Sequence, residues 1–471
     1  MPVLSAFGEP DHVAPLIPHS VVSGIDSDDD DDSVREADLE PASVLMPASI
    51  VGEARVLAVS ALPIILATTS QLLVLIPLMA AVGGLGTVAL ASMNLVSIYS
   101  GVLGVAPLSG LAMALDSMCS QAFTAAKDKR LLGLYLQRVL VVAPVILALV
   151  YPVWWNSRRV FEAVGIPSDI AHTTGDMLRL YFFGVAAMLL YEFLKSFLFA
   201  QGIRRVAIIN MPICLPGVWF AIWLFISNDS TSIGILGVPA VILVAGISFV
   251  LATTVFISCV DGHQCWGGWS RAAFADLGPL VRLGMSGSAV AFFEMISLHL
   301  IDLGALFLDP ASMAAQAILA MILSGTAYMG TGFAVAACNR IGNLLGLGLP
   351  NRARLTVVTM IGIATTVFVP MCTALIAGRH RVAALFSDDP EILEILVAHI
   401  PWAAASSASQ GISTAVSGVL RGQGRQSLIA RIRIASFLGI TLPLCVLFVV
   451  GFGWGLAGLW CGYMAGSMFS A

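Results

Sequence analysis

The segment Gly110–Gln121 reads GLAMALDSMCSQ, and a segment of the same pattern, GFAVAACNRIGN, runs from Gly332 to Asn343, 222 positions later. The same spacing separates Gln201–Gly202, in FLFAQGIRR, from Gln423–Gly424, in VLRGQGRQ. Two independent matches at one spacing indicate that the chain is built from two copies of one unit. The architecture of that unit therefore decides the fold.

The composition places these two units in a lipid bilayer. Of the 471 residues, 58% are hydrophobic and only 11% are charged, whereas a soluble domain carries about 25% charged residues. A transmembrane helix needs about 20 apolar residues, and apolar runs bounded by glycine, proline or charge clusters predict twelve of them. The predicted spans are 54–82, 87–113, 133–154, 174–197, 206–227, 233–260, 277–308, 312–337, 355–377, 393–419, 428–450 and 453–471.

The basic residues predict the orientation of the spans. Sixteen lie in or beside the connections after even-numbered spans, Arg340, Arg421, Arg431 and Arg433 among them, and only five lie on the other side. Because basic residues favour the cytoplasmic side, the N-terminus and the even connections are predicted to be cytoplasmic.

The predicted fold is therefore an all-α integral membrane protein of about 12 transmembrane helices. Six is an even number, so both copies enter the membrane from the same side and form two parallel six-helix lobes around a cavity. The expected domains are a disordered acidic cytoplasmic tail (1–50), an N-lobe (51–262), a cytoplasmic inter-lobe connection (263–276) and a C-lobe (277–471).

Several classes of function are disfavoured by the sequence. The eight cysteines are scattered through apolar segments and form no CxxC pair, which disfavours a disulfide framework and a zinc site. No basic stripe with interleaved aromatics suggests nucleic-acid binding. The first 50 residues lack the basic and apolar regions of a signal peptide.

Four motifs carry a resemblance to a known family: ALDSMCSQAF, CWGGWSRAAFADLGPLVRLG, AACNRIGNLLGLGLPNRAR and VLRGQGRQ. They closely resemble the multidrug and toxic compound extrusion (MATE) family, especially its eukaryotic, fungal-type members. The resemblance implies the MATE fold and a secondary transporter, not an enzyme, that acts as a monomer without a cofactor. It also implies export of cationic or amphiphilic small molecules in exchange for protons, across the plasma or vacuolar membrane. The motif residues themselves are expected to shape the cytoplasmic face, where Gly342, Gly346 and Gly348 free the backbone for a tight helix exit and close approach. Arg340, Arg352, Arg354 and Arg421 can meet lipid phosphates and helix C-termini there.

Glu294, in the stretch AVAFFEMISLHLID, is the leading candidate for the coupling site. A carboxylate near the middle of a membrane span is costly, so such a residue is by default functional. Burial favours its neutral form, which makes it a reversible proton site. The resemblance implies the same role, because eukaryotic relatives carry a coupling glutamate at this place.

His299 and Asp302 follow on the same helix. His299 stands where many relatives carry a second glutamate, and it can still handle a proton because imidazole titrates near neutral pH. A packed, neutral histidine is the alternative. Asp302 is expected either to hydrogen-bond His299 or to lie in the outer vestibule.

Four further residues are candidates for the substrate cavity. Gln410 stands at a position in the tenth span where some animal relatives have glutamate. Gln71 and Asn94 are the polar residues that the first two spans offer, and Tyr328 is an aromatic residue that can face a cavity.

Other functions remain open from the sequence. A relative within the superfamily could export an organic acid or flip a lipid-linked precursor, although the latter needs a strongly basic cavity and the spans show almost no Arg or Lys at mid-membrane. Sodium could replace protons, although it requires several oxygen ligands. A membrane-embedded enzyme needs paired catalytic groups, and none stands out.

Overall fold

The structure, a computed structural model, describes residues 49–69, 71–305, 308–387 and 389–470. Nearly all of the predicted tail therefore lies outside the described residues. Eleven helical segments in the described part are long and apolar enough to cross a bilayer, and a twelfth helix of 16 residues follows them. The helices are α1 (Ile50–Gly83), α2 (Thr87–Ala125), α3 (Leu131–Trp155), α4 (Ser168–Ala200), α5 (Arg205–Ser227), α6 (Gly234–Cys259), α7 (Leu277–Ala305), α8 (Ala311–Gly346), α9 (Pro350–Ala377), α10 (Pro390–Gly422), α11 (Gln426–Gly451) and α12 (Gly455–Ser470).

The duplication is visible in the helix boundaries. Helices α4 and α10 both have 33 residues, and they begin 222 positions apart, at Ser168 and Pro390. Two short helices, Ser157–Val164 after α3 and Arg379–Ala384 after α9, also begin 222 positions apart. The all-helical fold with two repeated lobes is thus confirmed. Helix α1 is divided into Ile50–Thr69 and Leu72–Gly83, with Pro63 in the first part and Pro77 in the second.

Two helices are longer than their apolar runs predicted. Helix α2 continues to Ala125 and α8 to Gly346, whereas the predicted spans ended at residues 113 and 337. The polar residues that suggested a helix end, among them Ser120 and Gln121, are buried. They are buried because the two lobes pack against each other here.

The two copies of the opening motif meet at this lobe interface. A Cβ atom on Gly342 of α8 would overlap Ser120 of α2, and one on Gly346 would overlap Thr124. The Thr124 hydroxyl donates to the Asn343 carbonyl at 2.8 Å. The close approach expected at these glycines is therefore observed at Gly342 and Gly346, and the helix exit lies at Gly348, where φ is +69° just after the end of α8.

Further contacts of the same kind extend the interface. Gly110 of α2 lies against the backbone of Gly284 and Ser288 of α7, and the Ser288 hydroxyl donates to the Pro107 carbonyl at 2.6 Å. The Gln121 amide donates to the Gly422 carbonyl at 2.9 Å. Small residues and side-chain amides thus hold the lobes together, and their contacts lie towards the ends of α2, α8 and α10 that carry the family-like motifs.

A buried ion pair joins the lobes at the same end. The Arg340 Nε and Nη2 atoms of α8 donate to the two carboxylate oxygens of Glu53 in α1, both at 2.9 Å. Thr356 of α9 adds a hydroxyl hydrogen bond of 2.7 Å to Glu53. The counter-charge of Arg340 is thus Glu53, a residue that the sequence had not indicated.

The connection between the lobes lies against α3. The Gln137 amide of α3 donates to the Gly268 carbonyl at 2.7 Å, and its oxygen accepts from the Ser270 N–H at 2.9 Å. Cys265 of this connection is buried at 4% exposure.

Candidate functional site

Glu294 lies in α7 and faces α10 inside the C-lobe. Its Oε1 atom accepts a hydrogen bond from Gln410 Nε2 at 2.6 Å and a longer one from the Thr414 hydroxyl at 3.4 Å. Gln410 and Thr414 share a face of α10 because they are four residues apart. The structure therefore brings together two residues, Glu294 and Gln410, that the sequence proposed from separate spans.

Glu294 and Gln410 line a small polar cavity enclosed by α7, α10, α11 and α12. Its volume is about 10 Å³, room for about one water molecule. The cavity is therefore closed to organic ligands in this conformation. The lining residues are Phe293, Glu294, Ser297, Gln410, Arg433, Ser436, Thr441, Tyr463, Ser467 and Ser470.

The lining of the cavity includes a cation that the sequence had assigned elsewhere. Arg433 was placed with the basic residues of the cytoplasmic side, but in the structure it is buried, with 7% exposure, beside the Glu294 cavity. It follows the start of α11 at Gln426 by seven residues, or about 10 Å of helix rise. The side chain therefore lies inside a span, towards its start, and not in a solvated connection.

Gln410 connects the two charged groups. While its amide nitrogen donates to Glu294, its oxygen accepts a long hydrogen bond of 3.5 Å from Arg433 Nη1. The same Nη1 atom donates to the Ser470 hydroxyl at 3.0 Å. The neutral amide therefore separates Glu294 from Arg433, and each charge retains a face towards the cavity.

A backbone irregularity shapes the α11 wall of the cavity. The turn Phe437–Thr441 is π-helical, and such turns change the direction in which side chains project. Ser436, just before it, donates its hydroxyl to the Gly466 carbonyl of α12 at 2.7 Å. This contact fixes α11 against α12 where Arg433 enters.

His299 and Asp302 form a second polar group, on a later part of α7. His299 Nδ1 lies 3.2 Å from Asp302 Oδ2, so the first alternative proposed for Asp302 is the one observed. Asp302 Oδ1 accepts from Gln316 Nε2 at 3.1 Å, and the Trp460 indole donates to Gln316 at 3.0 Å. Two helices, α8 and α12, therefore hold Asp302, and through it orient His299.

His299 also faces the other lobe. Its Nε2 atom lies against Gly101 in a π-helical turn of α2. Five residues separate His299 from Glu294, so about 7.5 Å of helix rise lies between the two polar groups. His299 and Asp302 are consequently neighbours of the cavity and are not among the residues that line it.

The remaining sequence candidates are not among the residues lining the cavity. Gln71 is exposed at the break in α1, and Asn94 is exposed on α2. Tyr328 is half-buried on α8, and its backbone carbonyl accepts from the Thr68 hydroxyl of α1 at 3.0 Å. No cluster of three or more His, Cys, Asp or Glu residues able to hold a metal occurs in the part of the chain that the structure describes.

Comparison with known proteins relates both lobes to one family. The family model described as MatE matches residues 63–222 and again residues 288–447. The two matches start 225 positions apart, close to the spacing of the repeated motifs. They cover more than half of the chain, one in each lobe.

Individual relatives extend over most of the chain. An uncharacterized transporter of Schizosaccharomyces pombe is 26% identical over 411 residues, which cover 87% of this chain and 76% of the relative. Protein DETOXIFICATION 17 of Arabidopsis thaliana is 27% identical over 388 residues, 81% of this chain and 80% of the relative. The crystal structure of the eukaryotic MATE transporter AtDTX14 has a TM-score of 0.83 and 22% identity, covering 90% of this chain and 94% of that one.

Proposed function

Because this chain belongs to the MatE family of multidrug and toxic compound extrusion transporters, we propose that it exports organic, positively charged or amphiphilic small molecules in exchange for protons. The observation that carries the proposal is the position of Glu294. It is a carboxylate at the wall of a cavity inside the C-lobe, and its hydrogen bonds to the described residues come from the neutral side chains of Gln410 and Thr414.

The proposed cycle uses Glu294 as a site for which proton and substrate compete. The ionised carboxylate binds the cationic group of the substrate when the cavity opens to the cytoplasm. After the lobes rock, a proton from the outer side binds Glu294, removes the counter-charge and releases the substrate. When the cavity faces the cytoplasm again, the proton leaves. Exchange follows because the two ligands differ in their affinity for the two protonation states.

Two features support this cycle. The lobes meet through small residues such as Gly110 and Gly342, so that few side chains need to rearrange when they separate. The Gln410 amide can donate to the ionised Glu294, and the contact weakens when the carboxyl is neutral. We further propose that His299 and Asp302 modulate the proton step from one turn away.

Reconstituted vesicles with an imposed pH gradient test the proposal. We expect uptake of a panel of organic cations to follow the gradient in the wild type and to fall to background in Glu294→Gln. Glu391→Gln is the matched control, because Glu391 is exposed at the start of α10, and it should transport normally. Gradient-driven transport by Glu294→Gln at the wild-type rate would contradict the proposal, and transport driven by a sodium gradient alone would favour sodium coupling.

A further inference from the structure

Arg433 is a buried guanidinium whose hydrogen-bonding capacity is only partly used. Its two hydrogen-bond partners, Ser470 and Gln410, are neutral oxygens, and both bond to the same nitrogen, Nη1. The Nη2 atom is buried and has no hydrogen-bond partner among the residues that the structure describes. A guanidinium carries five N–H donors, and a buried charge without a counter-charge is costly.

The Arg433 guanidinium, whose Nη2 atom has no described partner, lines the Glu294 cavity. Arg433 lines it together with Glu294 on the opposite side of Gln410. The hydroxyls of Ser467 and Tyr463 line the same space. A ligand in the cavity thus meets a negative group and a positive group on either side of Gln410.

A planar guanidinium fork recognises a carboxylate better than any other side chain does, because two parallel N–H donors match its two oxygens. A simple cation satisfies Glu294 and leaves Arg433 uncompensated, and it is repelled by Arg433. A small zwitterion satisfies both, with its ammonium at Glu294 and its carboxylate at Arg433.

We propose that Arg433 is an anion-binding subsite and that the cavity selects small zwitterions carrying a cationic nitrogen and a carboxylate. This inference rests on the proposed role of Glu294 and adds a specificity determinant to it. In the present conformation the cavity holds about 10 Å³, so the zwitterion binds when the helices around Glu294 and Arg433 open.

Glycine betaine and choline provide a matched pair of probes, because both carry a trimethylammonium group and only betaine carries a carboxylate. Equilibrium binding of each radiolabelled probe is measured on the purified full chain. We expect the wild type to bind betaine more tightly than choline. Arg433→Gln should weaken betaine binding by at least about tenfold, since a hydrogen-bonded charge is lost, and should leave choline binding unchanged or stronger.

Further variants separate this inference from the proposed function. Arg433→Lys keeps the charge without the fork, and we expect it to restore part of the betaine affinity, which a purely structural role of Arg433 does not predict. Glu294→Gln should weaken both probes. The subsite is refuted if the wild type binds betaine no more tightly than choline, or if Arg433→Gln leaves betaine binding unchanged. The proposed function still stands in either case, provided that Glu294→Gln weakens choline binding. If Glu294→Gln changes the binding of neither probe, the proposed function fails. The contribution of Arg433 is then still measured by comparing betaine binding with choline binding in the wild type and in Arg433→Gln. If the wild type binds neither probe, the subsite is refuted.

Discussion

Arg340 and Glu53 are 287 positions apart in the chain and form a two-pronged ion pair between α8 and α1. Glu53 is 2% exposed, so the pair is shielded from solvent. It joins the N-lobe to the C-lobe at the end where the repeated motifs meet. A transporter that alternates between two lobe arrangements has to break this pair when that end opens.

Glu53→Gln should therefore destabilise this conformation. Removing one partner of a buried ion pair leaves the other charge uncompensated, and we expect the free energy of unfolding to fall by about 3 kcal/mol. Thermal unfolding of the purified protein in detergent measures the effect. Glu162→Gln is the control, since its pair with Arg158 is solvent-exposed and should contribute at most about 1 kcal/mol. Equal midpoints for the two variants would show that the Glu53 pair does not stabilise the fold.

Gln410→Met should lower the affinity for transported cations. The amide donates to Glu294 at 2.6 Å and so orients the carboxylate. Without the donor the carboxylate is free to rotate, and we expect the KM for a transported organic cation to rise about fivefold, the equivalent of one hydrogen bond of about 1 kcal/mol. Initial uptake rates in vesicles with a fixed pH gradient measure the change, and Gln264→Met, at an exposed position of the inter-lobe connection, should leave the KM unchanged. A wild-type KM in Gln410→Met would argue against this role of the amide.

His299→Ala should slow proton-driven transport. The imidazole is oriented by Asp302 at 3.2 Å and lies against Gly101 of the other lobe, so its loss removes a polar contact where the lobes meet. We expect the uptake rate in vesicles to fall several-fold, the equivalent of about 1 kcal/mol. His380→Ala, in the exposed connection after α9, serves as the control. If His299→Ala transports at the wild-type rate, the residue has a packing role only.

Cys265 should resist alkylation at neutral pH. Burial raises the pKa of its thiol to about 11, although the Lys129 ammonium partly opposes this effect. Since the thiolate is the nucleophile, labelling by iodoacetamide should be slow at pH 8 and accelerate as the pH approaches 11. Cys259 is exposed and should react much faster at pH 8. Mass spectrometry distinguishes the two sites, and equal labelling of both at pH 8 would mean that the inter-lobe connection does not shield Cys265.

The helical architecture could be predicted from the sequence because it depends on local composition. Each lipid-facing segment must satisfy its own backbone hydrogen bonds, so an apolar run of sufficient length has to be a helix. Helix ends were predicted less well where polar residues are buried. Ser120, Gln121 and Arg340 resemble residues of a solvated loop, but they lie within helices because they pack against the other lobe.

The candidate site was predicted only in part, because some of its residues stand out in the local sequence and others do not. Glu294 could be found because a carboxylate in an apolar run is conspicuous by itself. Arg433 could not, because a basic residue seven positions from the start of a helix resembles the charged flank of a span. Its burial depends on α12 and α10, which supply Ser470 and Gln410. A search for basic residues more than one turn inside a predicted span would have found it.

The sequence by itself determined that this chain is a helical membrane protein, that it is built from two copies of one unit, and that Glu294 lies within a span. These properties follow from hydropathy, spacing and the cost of a charge in an apolar segment. The tertiary structure decided which charges share a cavity. Glu294 and Arg433 are 139 positions apart, and only the packing of α7, α10, α11 and α12 places a carboxylate and a guanidinium on either side of one glutamine, where their spacing can select a ligand.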